Sequence, residues 1–238
     1  MERTMLLSYF AFFFKPGAAL SAGGHEKVVA LVKAIPGLAK GHVYRPAGPG
    51  DYYFNEDGEP PVLALQLYYR DIEDLERAAG PDGALQALTR GDAFPSLAGA
   101  EVHHQAMVTR SFPVTDPTFQ TPKGERHCSF LVHYPGQAED LNAWLGYYVA
   151  NHTKAMLSFP GLREIEVLSR VDWIDGLPGW TRVNYIQRNK VVFDSPNALS
   201  AALTSPAIKV MRADYAKFPP FTGANVHYPM LTEVIIGR

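Results

Sequence analysis

A single cysteine, Cys128, stands in 238 residues, which excludes an intrachain disulfide and any Cys-rich zinc or iron–sulfur cluster built by one chain. A reducing, cytoplasmic setting is the expectation. No stretch approaches the roughly 20 apolar residues of a membrane-spanning helix, so no membrane role is expected. An excess of charge is also lacking: the net charge is −2, without the basic stripe that nucleic acid or an anionic surface would require. Absent too are a G-x-G-x-x-G after a strand, a Walker loop, H-E-x-x-H and G-x-S-x-G. The expectation is therefore a protein without cofactor or metal, acting on a small molecule.

What the chain does have is a copy of part of itself. Ile35-Pro36-Gly37-Leu38 recurs 124 positions later as Phe159-Pro160-Gly161-Leu162, and FPSLAGAEVHH from Phe94 recurs at the same offset as FPPFTGANVHY from Phe218. Ile35–Thr109 aligns on Phe159–Glu233 without a gap, carrying Leu75 and Ala78 onto Leu199 and Ala202. The length accommodates two domains of roughly 100 to 120 residues, and the reading divides the chain at 1–115 and 116–238. The N-terminal apolar run has the short charged start and small following residues of a weak leader. The repeat instead sets Phe10–Gly17 opposite Ser129–Gly136, as a first strand.

The second copy reads as strand, helix, hairpin, helix, strand. Ser129–Tyr134 is aromatic and β-branched and stops at Pro135-Gly136. Over Glu139–Leu157 the residues Leu141, Trp144, Leu145, Tyr148, His152 and Met156 recur at helical spacing. Leu162–Ser169 and Arg182–Phe193 make the hairpin. Ser195-Pro196 then caps a helix to Leu203, and Asn225–Ile236 closes the copy. In the first copy the same elements fall at Leu6–Phe14, His25–Ala34, Ala39–Tyr44, Val62–Tyr69, Ile72–Ala79 and Ala100–Arg110. This βαββαβ order is the ferredoxin-like unit, whose bare sheet face must be buried. The expected fold is α+β: two tandem ferredoxin-like domains packed sheet to sheet as a pseudo-twofold α+β barrel. Association of such chains into a homo-oligomer is compatible with this.

His133-Tyr134-Pro135 at a strand end, Tyr147-Tyr148 followed by His152, the FPGL turn, and Phe193-Asp194-Ser195 resemble the EthD-like branch of the dimeric α+β barrel superfamily. The likeness covers about Cys128 to Glu233. In the first copy Phe14-Lys15-Pro16 replaces His-Tyr-Pro and no histidine falls opposite His152. Both copies keep turns and caps, whereas only the second keeps the polar aromatic and imidazole set. One principal site, in the second copy, is the expectation.

Tyr148 and His152 are four residues apart on a helix, with Trp144 a turn earlier, so all three share a face. They are either core packing or a cleft wall. His152 is the best general acid or base in the chain, because imidazole exchanges a proton near neutrality. His133 and Tyr134 point to opposite sides of their strand, and either could face a pocket. Tyr147, His104 and Tyr228 are candidate substrate-binding positions. His103 and His227 read as equivalent structural histidines, because adjacent strand histidines point apart and no further ligand follows. Arg163, Arg182 and Arg188 are unranked candidates to hold a carboxylate, with Arg182 carried forward.

The resemblance implies cofactor-independent acid–base chemistry in a hydrophobic cavity. Its leading form is a lyase that decarboxylates a phenolic, aromatic or polyketide-type acid, with His152 oriented by Tyr148 and the oxyanion held by Tyr134 or His133. The alternatives are a cofactor-free monooxygenase or cyclase on a phenolic substrate, or a small-molecule-binding accessory protein without turnover.

Overall fold

The computed structural model describes residues 5–48 and 57–237. Its first half runs β1 (Leu6–Phe14), α1 (Ala22–Ala34), β2 (Leu38–Pro46), β3 (Leu63–Tyr69), α2 (Ile72–Ala79), α3 (Gln86–Thr89) and β4 (Glu101–Phe112). The second runs β5 (Cys128–Tyr134), α4 (Leu141–Tyr147), a π-helical turn (Tyr148–His152), α5 (Thr153–Met156), β6 (Leu162–Arg170), β7 (Thr181–Arg182), β8 (Gln187–Phe193), α6 (Pro196–Leu203), α7 (Ala207–Tyr215) and β9 (Val226–Ile236). Ser195 caps α6 as its sequence implies, its Oγ accepting from the Ala198 N–H at 3.1 Å.

Each half forms an antiparallel sheet, ordered β4-β1-β3-β2 and β9-β5-β8-β6. Alone, either would expose two unpaired edges. Here β2 pairs with β9 and β4 with β6, so eight strands close into an antiparallel barrel. Strands β3, β5 and β8 are buried along their whole length, because one face meets the barrel interior and the other meets helices. Phe10, Phe12, Tyr44, Met107, Leu131, Leu168 and Met230 fill part of the interior. Separate apolar clusters lie under the helices of each half. Among the described residues no helix is long and apolar enough to cross a membrane.

The 124-residue offset carries β3 onto β8 and α2 onto α6 with the same bounds. It also carries the irregularity between Leu38 and Lys40 onto that between Leu162 and Glu164. Gly37 and Gly161 enter those strands at φ 74° and 72°, a region that a side chain at Cβ disfavours.

The ungapped alignment fails in the last strand. Thr109 meets Ser8 at 2.7 Å inside the barrel, and its counterpart meeting Ser129 at 2.7 Å is Thr232. Met107 and Met230 likewise share the interior. The closing strands therefore match at an offset of 123, and one residue of slip turns every side chain to the other face. His103 lies on the interior side opposite Phe12, while His227, opposite Val132, faces the helices. The true counterpart of His227 is His104.

Two further expectations need correction. The segment Arg182–Phe193 is not one strand: Thr181–Arg182 pairs with β4 of the other half, and β8 begins only at Gln187. The helix expected over Glu139–Leu157 is interrupted by the π-turn, and α7 went unread.

Candidate active site

In the second half, β5 projects Phe130, Val132 and Tyr134 toward the helices, as alternation requires. With Val191, Met156 and Met211 they line an apolar cavity of about 350 Å³ between the sheet and helices α5 to α7. This choice of face answers the question left open at the strand end: Tyr134 faces the cavity, and His133 faces the barrel interior.

His152 reaches the cavity from the end of the π-turn, 4% exposed. Its Nδ1 lies 2.6 Å from Asp214 Oδ2. A carboxylate can only accept, so Nδ1 carries the hydrogen and Nε2 presents a lone pair. The other oxygen, Asp214 Oδ1, accepts from the Tyr147 hydroxyl at 3.0 Å. Burial pushes the His152 imidazole below its usual pKa, and Asp214 opposes that shift in part. At neutral pH the ring is thus uncharged and oriented by a carboxylate, an arrangement able to accept a proton at Nε2.

Tyr148 is fully buried beneath this ring, with centroids 4.7 Å apart. Its hydroxyl accepts from Asn189 Nδ2 at 2.5 Å and hydrogen-bonds Tyr134. Burial raises the pKa of both phenols, so both remain neutral donors. The Tyr134 hydroxyl also hydrogen-bonds Asn225. On the same sheet wall, beside Phe130, His227 is already engaged. Its Nδ1 donates to Asp57 at 2.5 Å, and its Nε2 accepts from Asn225 at 3.1 Å. Asp57 precedes β3, so the first half supplies the group that holds a wall residue of the second half's cavity.

The remaining candidates separate. Trp144 is wholly buried and stacks on Tyr148 at 5.3 Å, forming core rather than cavity wall. Tyr147 supports Asp214 from outside the cavity. The group hydrogen-bonded to His152 is Asp214, while Tyr148, expected to orient it, meets the imidazole ring to ring. His133 lies in the barrel beside Arg188, with Tyr228 5.2 Å away. His104 is in the first half, its Nδ1 2.8 Å from the Tyr9 hydroxyl. Arg182 stacks over Trp173 at 5.0 Å in that half, away from this cavity. Arg163 pairs with Asp194 and Asp116, and Arg188 is interior. The arginine on the cavity wall is Arg212.

Asp214 and Arg212 were missed with the helix that carries them, although Ile208, Met211 and Tyr215 recur there at helical spacing. Cys128 is buried with its thiol pushed up to about 12, which leaves it protonated at neutral pH. Among the described residues no three His, Cys, Asp or Glu side chains gather as a metal site.

No protein-family model matches the sequence, and none of the curated proteins matches it significantly. Among solved structures, an anthrone oxidase-like protein superposes over 99% of this chain and 94% of its own, at 14% identity and a TM-score of 0.61. A Fusobacterium nucleatum protein provisionally named a monooxygenase covers 99% and 96%, at 7% identity and a TM-score of 0.56. An EthD family protein from Bacillus halodurans overlaps 47% of this chain at 23% identity, with a TM-score of 0.32 that carries no structural argument. These likenesses are of fold: an α+β barrel closed within one chain.

Proposed function

We propose that this protein is a cofactor-independent enzyme in which His152 removes a proton from an aromatic, phenol- or enol-forming substrate held in the apolar cavity. The observation that carries the reading is the 2.6 Å contact from His152 Nδ1 to Asp214, which turns the basic Nε2 of a buried, neutral imidazole toward the cavity. The Tyr134 hydroxyl on the wall accepts from Tyr148 and Asn225, which leaves its own hydrogen to donate to the oxyanion that forms as the proton leaves. Aromatic and apolar walls favour a flat, conjugated substrate, and conjugation is what makes such a proton removable.

Oxygenation is the fate of that anion which a neutral base supports best, and it agrees with the names borne by the two structural neighbours. In this form an activated methylene loses a proton to His152, and the carbanion adds dioxygen to give a hydroperoxide. Loss of the second C–H proton with cleavage of the O–O bond then yields a ketone and water. The substrate supplies all the electrons. The second reading is decarboxylation of a phenolic or polyketide-type acid, and Arg212 on the cavity wall favours it as a counter-charge for a carboxylate. Pure binding without turnover is the outcome in which His152→Ala alters affinity alone.

Incubation of the protein with anthrone-type ketones and phenolic acids, with and without oxygen, separates these forms by product mass. The leading form requires oxygen uptake, a product in which two hydrogens are replaced by one oxygen, and loss of both with His152→Ala. A product lighter by carbon dioxide, formed equally under nitrogen, would establish the decarboxylase instead.

A further inference from the structure

Strand β8 sends two cations into the barrel. Lys190, with no exposed surface, ends between Glu164 at 2.8 Å and Glu166 at 2.9 Å. Its charge is matched, and Tyr68 and Gln66 complete the bonding around Glu166. Arg188, two residues earlier and 2% exposed, has no such match. The charged or titratable group that supports its cation is the Tyr228 phenol, and no carboxylate does so among the described residues. Burial pushes the guanidinium down to about 9, still charged at neutral pH.

The surroundings of Arg188 are aromatic. Its guanidinium lies 4.6 Å from the Phe12 ring centre and 4.4 Å from that of Tyr185, contacts that tolerate a cation without neutralising it. One terminal nitrogen donates to His133 Nδ1, which puts the imidazole hydrogen on Nε2. Arg188 Nε, Arg188 Nη2 and His133 Nε2 are then buried donors without acceptors among the described residues. Leaving even one such group unpaired is costly, more so when it is charged. All belong to the two side chains that line a small cavity at the barrel end, walled also by Phe12, Tyr185 and Tyr228. Its volume is about 30 Å³, against roughly 10–15 Å³ for a single water.

We propose that this cavity binds a small free carboxylate, of formate or bicarbonate size, on Arg188 and His133. A planar carboxylate accepts from a guanidinium edge through two parallel bonds, and it supplies both the missing acceptors and the missing charge. The cavity has room for the head group and little else. It lies on the opposite face of β5 from the His152 cavity, so the proposal stands independently of the reaction proposed above.

Titrating the full-length protein with 13C-formate, with gluconate as the bulky balancing anion, tests this through the formate NMR linewidth and the thermal midpoint. The expected result is saturable broadening, a saturating rise in Tm, and displacement by bicarbonate. Arg188→Met should weaken formate binding roughly 30-fold or more, as loss of one partner of a buried charged pair does. The wild-type titration decides the matter even if that variant fails to fold: no saturable formate signal, or one elicited only by halide, overturns the proposal. Equal binding by a folded Arg188→Met protein does so as well.

Discussion

The two halves share a backbone plan and differ in what occupies the space between sheet and helices. In the second half Phe130, Val132 and Tyr134 front an open cavity. In the first, the match of Ser8 with Ser129 corrects the Pro-Gly alignment of this strand by two residues, and the equivalent positions Tyr9, Ala11 and Phe13 front a space narrowed by two indoles. Trp173 packs on Tyr9 at 5.5 Å and Trp180 on Phe13 at 5.2 Å, both from the segment that crosses over after β6. On the helix, Val28 stands as far before Ile35 as His152 stands before Phe159, and it is fully buried. A duplicated scaffold has thus been used twice. The first copy keeps a smaller space of about 210 Å³ beside Phe13 and Trp180 with no ionisable side chain on its wall, and the second keeps a larger one whose wall carries an imidazole paired with a carboxylate.

The largest expected effect tests the open half. His152→Ala should lower kcat/KM by about 10²–10⁴-fold, the usual contribution of a positioned general base, while leaving the urea midpoint within the range of an ordinary core substitution. Trp173→Ala tests the narrowed half. Removing this 6%-exposed indole should cost about 3–5 kcal/mol in urea unfolding, with kcat/KM of the folded fraction unchanged. A Trp173 variant that lost activity in proportion to His152→Ala would mean that the halves do not divide the work in this way.

Asp214→Asn should have a smaller effect with a distinct signature. The carboxylate opposes the lowering of His152 by burial, so its removal should move the acidic limb of the pH–rate profile to still lower pH while reducing the plateau. For the wild type the same balance sets the sign. Activity should be flat above neutrality and fall only below about pH 6.5, the unperturbed imidazole value, because protonation removes the base. A profile that rises on acidification would assign His152 the role of an acid.

The sequence was most legible where repeated turns punctuate it. The Pro-Gly-Leu motifs and the Ser195-Pro196 cap mark boundaries by local chemistry, and β1, α2 and α6 lie where they are expected. Face assignment in β9 was not legible, because strand periodicity is two and a single uncompensated residue between α6 and β9 reverses it. That slip concealed His227 as a cavity residue and paired it wrongly with His103. Asp214 was hidden for another reason. Its helix is short and partly exposed, and nothing in the local spacing reveals that its last turn meets the π-turn of His152. Such a contact belongs to tertiary packing. The crossing loops are equally long-range: Asp57 and Asp175 each reach the opposite half.

Those two aspartates give the finest test of the difference between the halves. Asp57 accepts from the backbone N–H of His227 at 2.8 Å and from its Nδ1 at 2.5 Å, and Asp175 lies 3.2 Å from Nε2 of the counterpart His104. Each binds a loop of one half to the last strand of the other, so each should contribute stability of about 1–3 kcal/mol. Their functional consequences should diverge. His227 lines the open cavity, so Asp57→Asn loosens a wall of the proposed substrate site and should raise KM several-fold with kcat nearly unchanged. His104 is packed among Tyr9, Trp173 and Trp180, so Asp175→Asn should lower the urea midpoint and leave both kinetic constants alone. Steady-state kinetics and unfolding of the two variants side by side decide it: a shift in KM from Asp175→Asn equal to that from Asp57→Asn would show that the narrowed half still communicates with the site.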